Sequence, residues 1–156
     1  MNKMPSSTIV QLIKYTESLS NREMMKWALR NVREVLDVLN INVTNDEQYR
    51  LMVIETNRFL TGFHKVSHMR NQALKMHELA RHENDPVRVN LLRAYGHIIA
   101  TAHVKEHALH ATEYANKALR AANKSEEDIE KIVDAQNNAL ESLARFIVSV
   151  DRPIVN

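Results

Sequence analysis

Residues 93–119 read RAYGHIIATAHVKEHALHATEYANKAL, and the reading of this stretch decides the fold. Its apolar and small residues recur at helical spacing, while Lys105, Glu106, Glu113, Asn116 and Arg120 mark an outward side. Just upstream, Asp85-Pro86 forms an N-cap followed by a proline at the first helical position, where a missing N–H costs nothing. No strong stop signal follows until Asn123. The spacing therefore predicts one central helix of about 37 residues, about 55 Å long if straight. A bend is expected near Gly96, because glycine weakens a helix interior by about 1 kcal/mol relative to alanine.

Working outward, the same punctuation recurs. Ser20 with Glu23 fits a capping box and opens a helix over about residues 21–39, whose Met25, Ala28, Leu29, Val32, Val35, Leu36 and Leu39 form one stripe. Thr44 with Glu47 repeats the device and predicts a helix that stops near Gly62. Met69, Ala73, Met76 and Ala80 mark the next helix, which ends in His82-Glu83-Asn84. Ser125 with Asp128 opens the last, with Ile129, Ile132, Val133, Leu140, Leu143, Ala144 and Ile147 on its apolar face and Pro153 beyond its end. A short helix over residues 7–18 completes the set. The expectation is an all-α, single-domain bundle of about six helices spanning residues 1–156, with one long histidine-rich helix at its centre.

Composition agrees. Only 2 glycines and 3 prolines occur in 156 residues, too few turn-formers for a loop-rich β architecture. The absence of cysteine removes disulfides, thiolate metal sites and thiol nucleophiles. A net charge of +2 is too small for the broad positive field of a nucleic-acid binder. The charge is nevertheless uneven: residues 58–93 hold seven Lys/Arg against three Asp/Glu, and residues 125–151 hold two against seven. The basic run lacks interleaved aromatics and reads as solvated helix faces. No apolar run approaches a membrane span, so no membrane partner is expected and the cytoplasm is the expected compartment.

Eight histidines invite metal chemistry. On one continuous helix, His103, His107 and His110 fall within a sector of about 60°, and His103 with His107, one turn apart, are able to point at one ion. That reading gives a helical-bundle metalloprotein, a metal-dependent hydrolase or transferase, with a third ligand from another helix: His64, His68 or His77. The chain contains no Glu-x-x-His pair and no His-Glu-x-x-His, the signatures of di-iron bundles and zinc proteases. Packed, hydrogen-bonded histidines on a helix kept narrow by Ala, Gly and Thr account for the same spacing. Met52, Met69, Met76 and Trp27 read as core. Ser67 and Ser142 lie in no nucleophile elbow. The acids Glu126, Glu127, Glu130 and Asp134 open a helix whose dipole favours them, and they also form a surface suited to a basic partner.

The string Gly96-His97, Ala100-Thr101-Ala102-His103-Val104 and His107-Ala108 resembles the hallmark segment of the Imm-five-like putative immunity proteins of bacterial polymorphic toxin systems. Trp27-Ala28, Asn57-Arg58-Phe59 and the Ala73–Arg81 segment with His77 also resemble family segments, over roughly residues 22–122. Phe59 stands where tryptophan is commoner, and Asn45-Asp46-Glu47 where an Arg-Pro pair is expected. The resemblance implies an all-α cytoplasmic protein that binds and neutralises a cognate toxin by occlusion, with neither catalysis nor a cofactor. It makes Gly96, His97, Thr101, His103 and His107 a family motif serving architecture or partner binding. Glu126, Glu127, Glu130 and Asp134 are then the expected toxin-contact rim, and self-association is the second expected partner relation.

Overall fold

Where each helix begins follows from which oxygen reaches its orphan N–H groups. In the computed structural model, which describes residues 7–151 and the side chains of residues 11–150, the chain is helical throughout: α1 (Ser7–Thr16), α2 (Asn21–Val38), a short 3-10 turn (Val43–Asn45), α3 (Glu47–Leu60), α4 (Val66–Arg81), α5 (Pro86–Ala100), α6 (His107–Ala121) and α7 (Glu126–Asp151). The described residues contain no strand, in keeping with the all-α expectation. Pro153, expected after the last helix, lies outside the described residues.

The capping box at α2 forms as expected, with Glu23 N–H donating to Ser20 Oγ (3.1 Å) and Ser20 N–H donating to Glu23 Oε1 (2.8 Å). Asp85 caps α5 by accepting from Val87 N–H, with Pro86 at the first turn, and Ser125 Oγ accepts from Asp128 N–H at α7. At α3 the Thr44/Glu47 box does not form. Thr44 belongs to the 3-10 turn, and Asp46 takes the cap position, its carboxylate accepting from Tyr49 N–H at 2.9 Å. Gly62, at φ +87°, turns the chain from α3 into α4.

The long central helix is corrected. It is two helices, α5 and α6, joined by a turn at residues 101–106, five residues beyond the expected bend. Thr101 Oγ1 donates back to the His97 carbonyl (2.8 Å). The carbonyls of Thr101 and Ala102 accept from Asn21 Nδ2 on α2 at 2.9 and 3.3 Å, which satisfies oxygens that a continuing helix would have claimed. Lys105 is tied to the Leu19 carbonyl at 2.8 Å. The chain thus folds back, and the count rises from about six helices to seven among the described residues.

Helix α5 is the hub, packing against α6, α4, α3 and α2, while α6 also meets α2 and α7, and α7 meets α1. One core runs through the assembly, with Met24, Met25, Met52, Met69, Leu91, Tyr95, Ile98, Leu119 and Ile129 fully buried. Met52, Met69 and Met76, at their stripe positions, and Trp27 are core residues, as expected. Several buried polar groups pair across the helices. Asn116 and Gln136 exchange amide hydrogen bonds (2.8 and 3.0 Å), Asn31 donates to Thr112 Oγ1 (3.1 Å), and Trp27 Nε1 donates to the Gln136 carbonyl (3.1 Å). These bonds hold α2, α6 and α7 in one register.

Candidate functional site

The α5–α6 turn brings the motif histidines together across a hairpin rather than along one helix. His97, at the end of α5, is the centre. Its ring stacks on His107 (centroids 5.0 Å apart, planes 29° apart) and on Tyr114 (5.2 Å, 11°), and meets His110 at 5.6 Å, all from α6. From α4, His77 meets it edge-on at 4.9 Å.

Gly96 explains how α4 comes so close. A Cβ at Gly96 would lie 2.7 Å from His77 Nε2 and 2.8 Å from its Cε1, so the position admits no side chain while the ring stays put. Arg93 Nη1 donates to His77 Nδ1 at 3.1 Å. A guanidinium only donates, so that nitrogen carries a lone pair, and the proton of the neutral ring sits on Nε2. His97 Nδ1 and His107 Nδ1 are 2.9 Å apart, a bond in which one ring donates and the other accepts. Protonating both would set two N–H groups against each other.

Electrostatics act in the same direction. Burial first, and then the neighbouring charges of His77 and His107, pull His97 down to about 3, while burial and Arg93 pull His77 down to about 4. His107 is lowered by burial and by His110 and His103. His77, His97 and His107 are therefore neutral, partly buried rings at physiological pH. The Thr101 hydroxyl is committed to the backbone and is fully buried. Three of the five motif residues, Gly96, His97 and His107, share this stack; Thr101 closes α5 beneath it.

His103 departs from the expected arrangement. It lies in the turn, outside both helices, exposed, and accepts from Arg70 Nη2 of α4 at 3.0 Å. The expected His103/His107 metal pair rested on one continuous helix, and the break removes it. His64 and His68 do not complete such a site either. They converge instead on Glu55 of α3, and this trio is the sole set of three among the described residues whose ligand atoms all lie within 4.8 Å. Glu55 is 13 residues from His68 and belongs to no motif, so sequence reasoning passed over it.

A second polar centre also escaped the sequence reading. Arg88 of α5 grips Asp46 with both terminal nitrogens (2.6 and 2.8 Å) and reaches Gln48 Oε1 at 2.7 Å, while Tyr95 O–H donates to Asp46 Oδ2 at 2.7 Å. Burial alone would raise Asp46, but Arg88, the Tyr49 N–H and the Tyr95 hydroxyl outweigh it and hold the carboxyl below its usual range. The α3 cap is thereby locked onto the central helix, where an Arg-Pro pair was expected.

On α7, Glu126, Glu127, Glu130 and Asp134 are all exposed. Glu126 pairs with Arg120 at 3.4 Å, a surface contact of little energetic weight. No ion pair to the other three occurs among the described residues.

A family model described as "Imm-5 like putative immunity protein" matches residues 14–143, a longer span than the motifs alone suggested. It takes in α7 as far as Leu143 and therefore the acidic residues, which had been read as lying outside the shared region. No curated protein matches the chain, and no solved structure does. With a match over most of its length, the chain belongs to the Imm-5 like putative immunity protein family.

Proposed function

We propose that the chain is an immunity protein of a bacterial polymorphic toxin system, acting in the cytoplasm as a single helical domain that binds a cognate toxin and neutralises it by occlusion, without catalysis of its own. Membership of the immunity family carries this reading. The pattern of paired buried groups supports it further: Asn116–Gln136, Asn31–Thr112 and Asp46–Arg88–Tyr95 fasten the helices to one another, as suits a protein that presents a rigid surface.

In this reading, Gly96, His97, Thr101 and His107 build the α4–α5–α6 junction, and His103 in the exposed turn is the motif residue available to a partner. Glu126, Glu127, Glu130 and Asp134 form a charged rim on the exposed side of α7. Such a rim steers encounter with a basic toxin surface and adds less to affinity than a buried anchor does.

The test is charge reversal at the four positions, Glu126→Lys, Glu127→Lys, Glu130→Lys and Asp134→Lys together. The association rate with the cognate toxin should fall at least about tenfold at low salt, with the difference narrowing as salt screens it. An unchanged rate at low salt would remove the rim from the mechanism.

A further inference from the structure

We propose that Glu55, His64 and His68 form a binding site for one zinc-class divalent transition-metal ion, which fastens the turn between α3 and α4. The site is independent of the toxin reading and shares no residue with the histidine stack.

The donor set is two imidazole nitrogens and one carboxylate oxygen, the combination that suits zinc and its neighbours in the first transition row. Each donor comes from a different local setting. Glu55 projects from α3 and is 8% exposed. His64 sits in the turn, and His68 stands in the first turn of α4. Both Nε2 atoms face the same Glu55 oxygen, His64 at 3.2 Å and His68 at 2.6 Å, and the rings lie 3.9 Å apart at 31°. Metal–ligand bonds of about 2.0–2.1 Å in a tetrahedral site place neighbouring ligand atoms about 3.3 Å apart. The His64 contact already has that spacing. The His68 contact needs to open by less than about 1 Å, and its side chain, 38% exposed, has room to move.

A second observation points into the same space. His64 Nε2 is buried and makes no hydrogen bond, alone in this respect among the described side-chain atoms. A buried nitrogen without a partner costs about 1–3 kcal/mol, and a metal bond would satisfy it. The turn is already set: Phe63 N–H and His64 N–H both donate to the Arg58 carbonyl (2.7 and 3.3 Å), and Gly62 supplies the left-handed conformation. The His68 side chain, partly exposed, opens the site toward solvent, the side from which an ion would enter. With a single carboxylate among its three donors, the site suits one ion rather than a cluster.

The experiment titrates Zn2+ into the tag-free, chelator-treated chain by calorimetry, and Co2+ with visible absorption as a report of coordination geometry. One ion per chain is expected, with intense Co2+ bands. Losing a residue that only orients a metal ligand costs about 10–100-fold in affinity, so loss of a ligand itself in Glu55→Gln or His68→Gln should weaken binding by about 100-fold or more. A His97→Gln/His107→Gln variant should bind as the parent does. In the unsubstituted chain, imidazole NMR signals of His64 and His68 should broaden first on adding Co2+, a readout that needs no variant to fold. Absence of saturable binding, binding that survives Glu55→Gln with His68→Gln, or first broadening at His97 and His107 would each overturn the proposal.

Discussion

Lowering the pH from 7 to 5 should strip the fold of stability through His77 and His97. Their unfolded-state value is 6.5, and in the folded chain they are held at about 4 and about 3. Between 6.5 and those values, the unfolded chain takes up a proton at each ring that the folded chain refuses, so stability falls as pH falls. Well above 6.5 neither ring contributes a slope. At one pKa unit per about 1.4 kcal/mol, the step from pH 7 to 5 removes about 2 kcal/mol for each ring and about 4 kcal/mol for both. That is a large part of a typical total of roughly 5–15 kcal/mol. His107 is lowered as well and acts in the same direction. Asp46 does not contribute in this window, because its carboxyl is held below 3.8 and its share is lost only in stronger acid. Urea unfolding followed by circular dichroism at pH 7, 6 and 5, at fixed salt, reads the effect. With a slope of about 2 kcal/mol per molar urea, the midpoint should drop by about 2 M. In a His77→Gln/His97→Gln variant the drop should be smaller than the parent's by about that amount, the remainder coming from His107 and the other titrating groups common to both proteins. A parent midpoint that stays flat from pH 7 to 5, or a variant with the same slope, would refute the reasoning.

Gly96→Ala sets a gain of about 1 kcal/mol in helix propensity against a methyl placed 2.7 Å from the His77 ring. Because that ring is wedged between Arg93 and His97, overpacking should prevail, at a net cost of about 1–3 kcal/mol in thermal or urea unfolding. Arg88→Met should cost about 3–5 kcal/mol, because it leaves the Asp46 carboxylate buried without its cation; Tyr95→Phe, which removes a single bond to the same carboxylate, should cost about 1 kcal/mol. Equal losses in these two variants would contradict the bidentate grip as the dominant contact.

The features that sequence reading recovered are those governed by local chemistry. Ser20 with Glu23, Asp85 with Pro86, and Ser125 with Asp128 each cap a helix with side chains no more than three residues from the N–H groups they satisfy. The features it missed depend on distant partners. Thr44 with Glu47 has the pattern of a capping box, yet Asp46 wins the cap because Arg88 and Tyr95, more than forty residues away, converge on its carboxylate. The α5–α6 break has no glycine or proline to announce it. It depends on Asn21, 80 residues upstream, accepting the role of capping the freed carbonyls with its amide N–H groups. That break then rearranges the motif. A wheel drawn through residues 93–119 grouped His103 with His107 and His110, whereas the hairpin groups His97 with His107, His110 and Tyr114 and sends His103 to Arg70. The family string was legible because it is a string; the trio of Glu55, His64 and His68 was not, because two helices and a turn assemble it.

Toxin neutralisation is tested by co-expression. The product of the gene adjacent to this one, as the candidate toxin, is expressed in a sensitive bacterial host with and without this chain, and viable counts are taken. The chain should restore growth and co-purify with the toxin as a complex. Growth arrest that persists while the chain is folded and in excess, with no complex recovered, would contradict it.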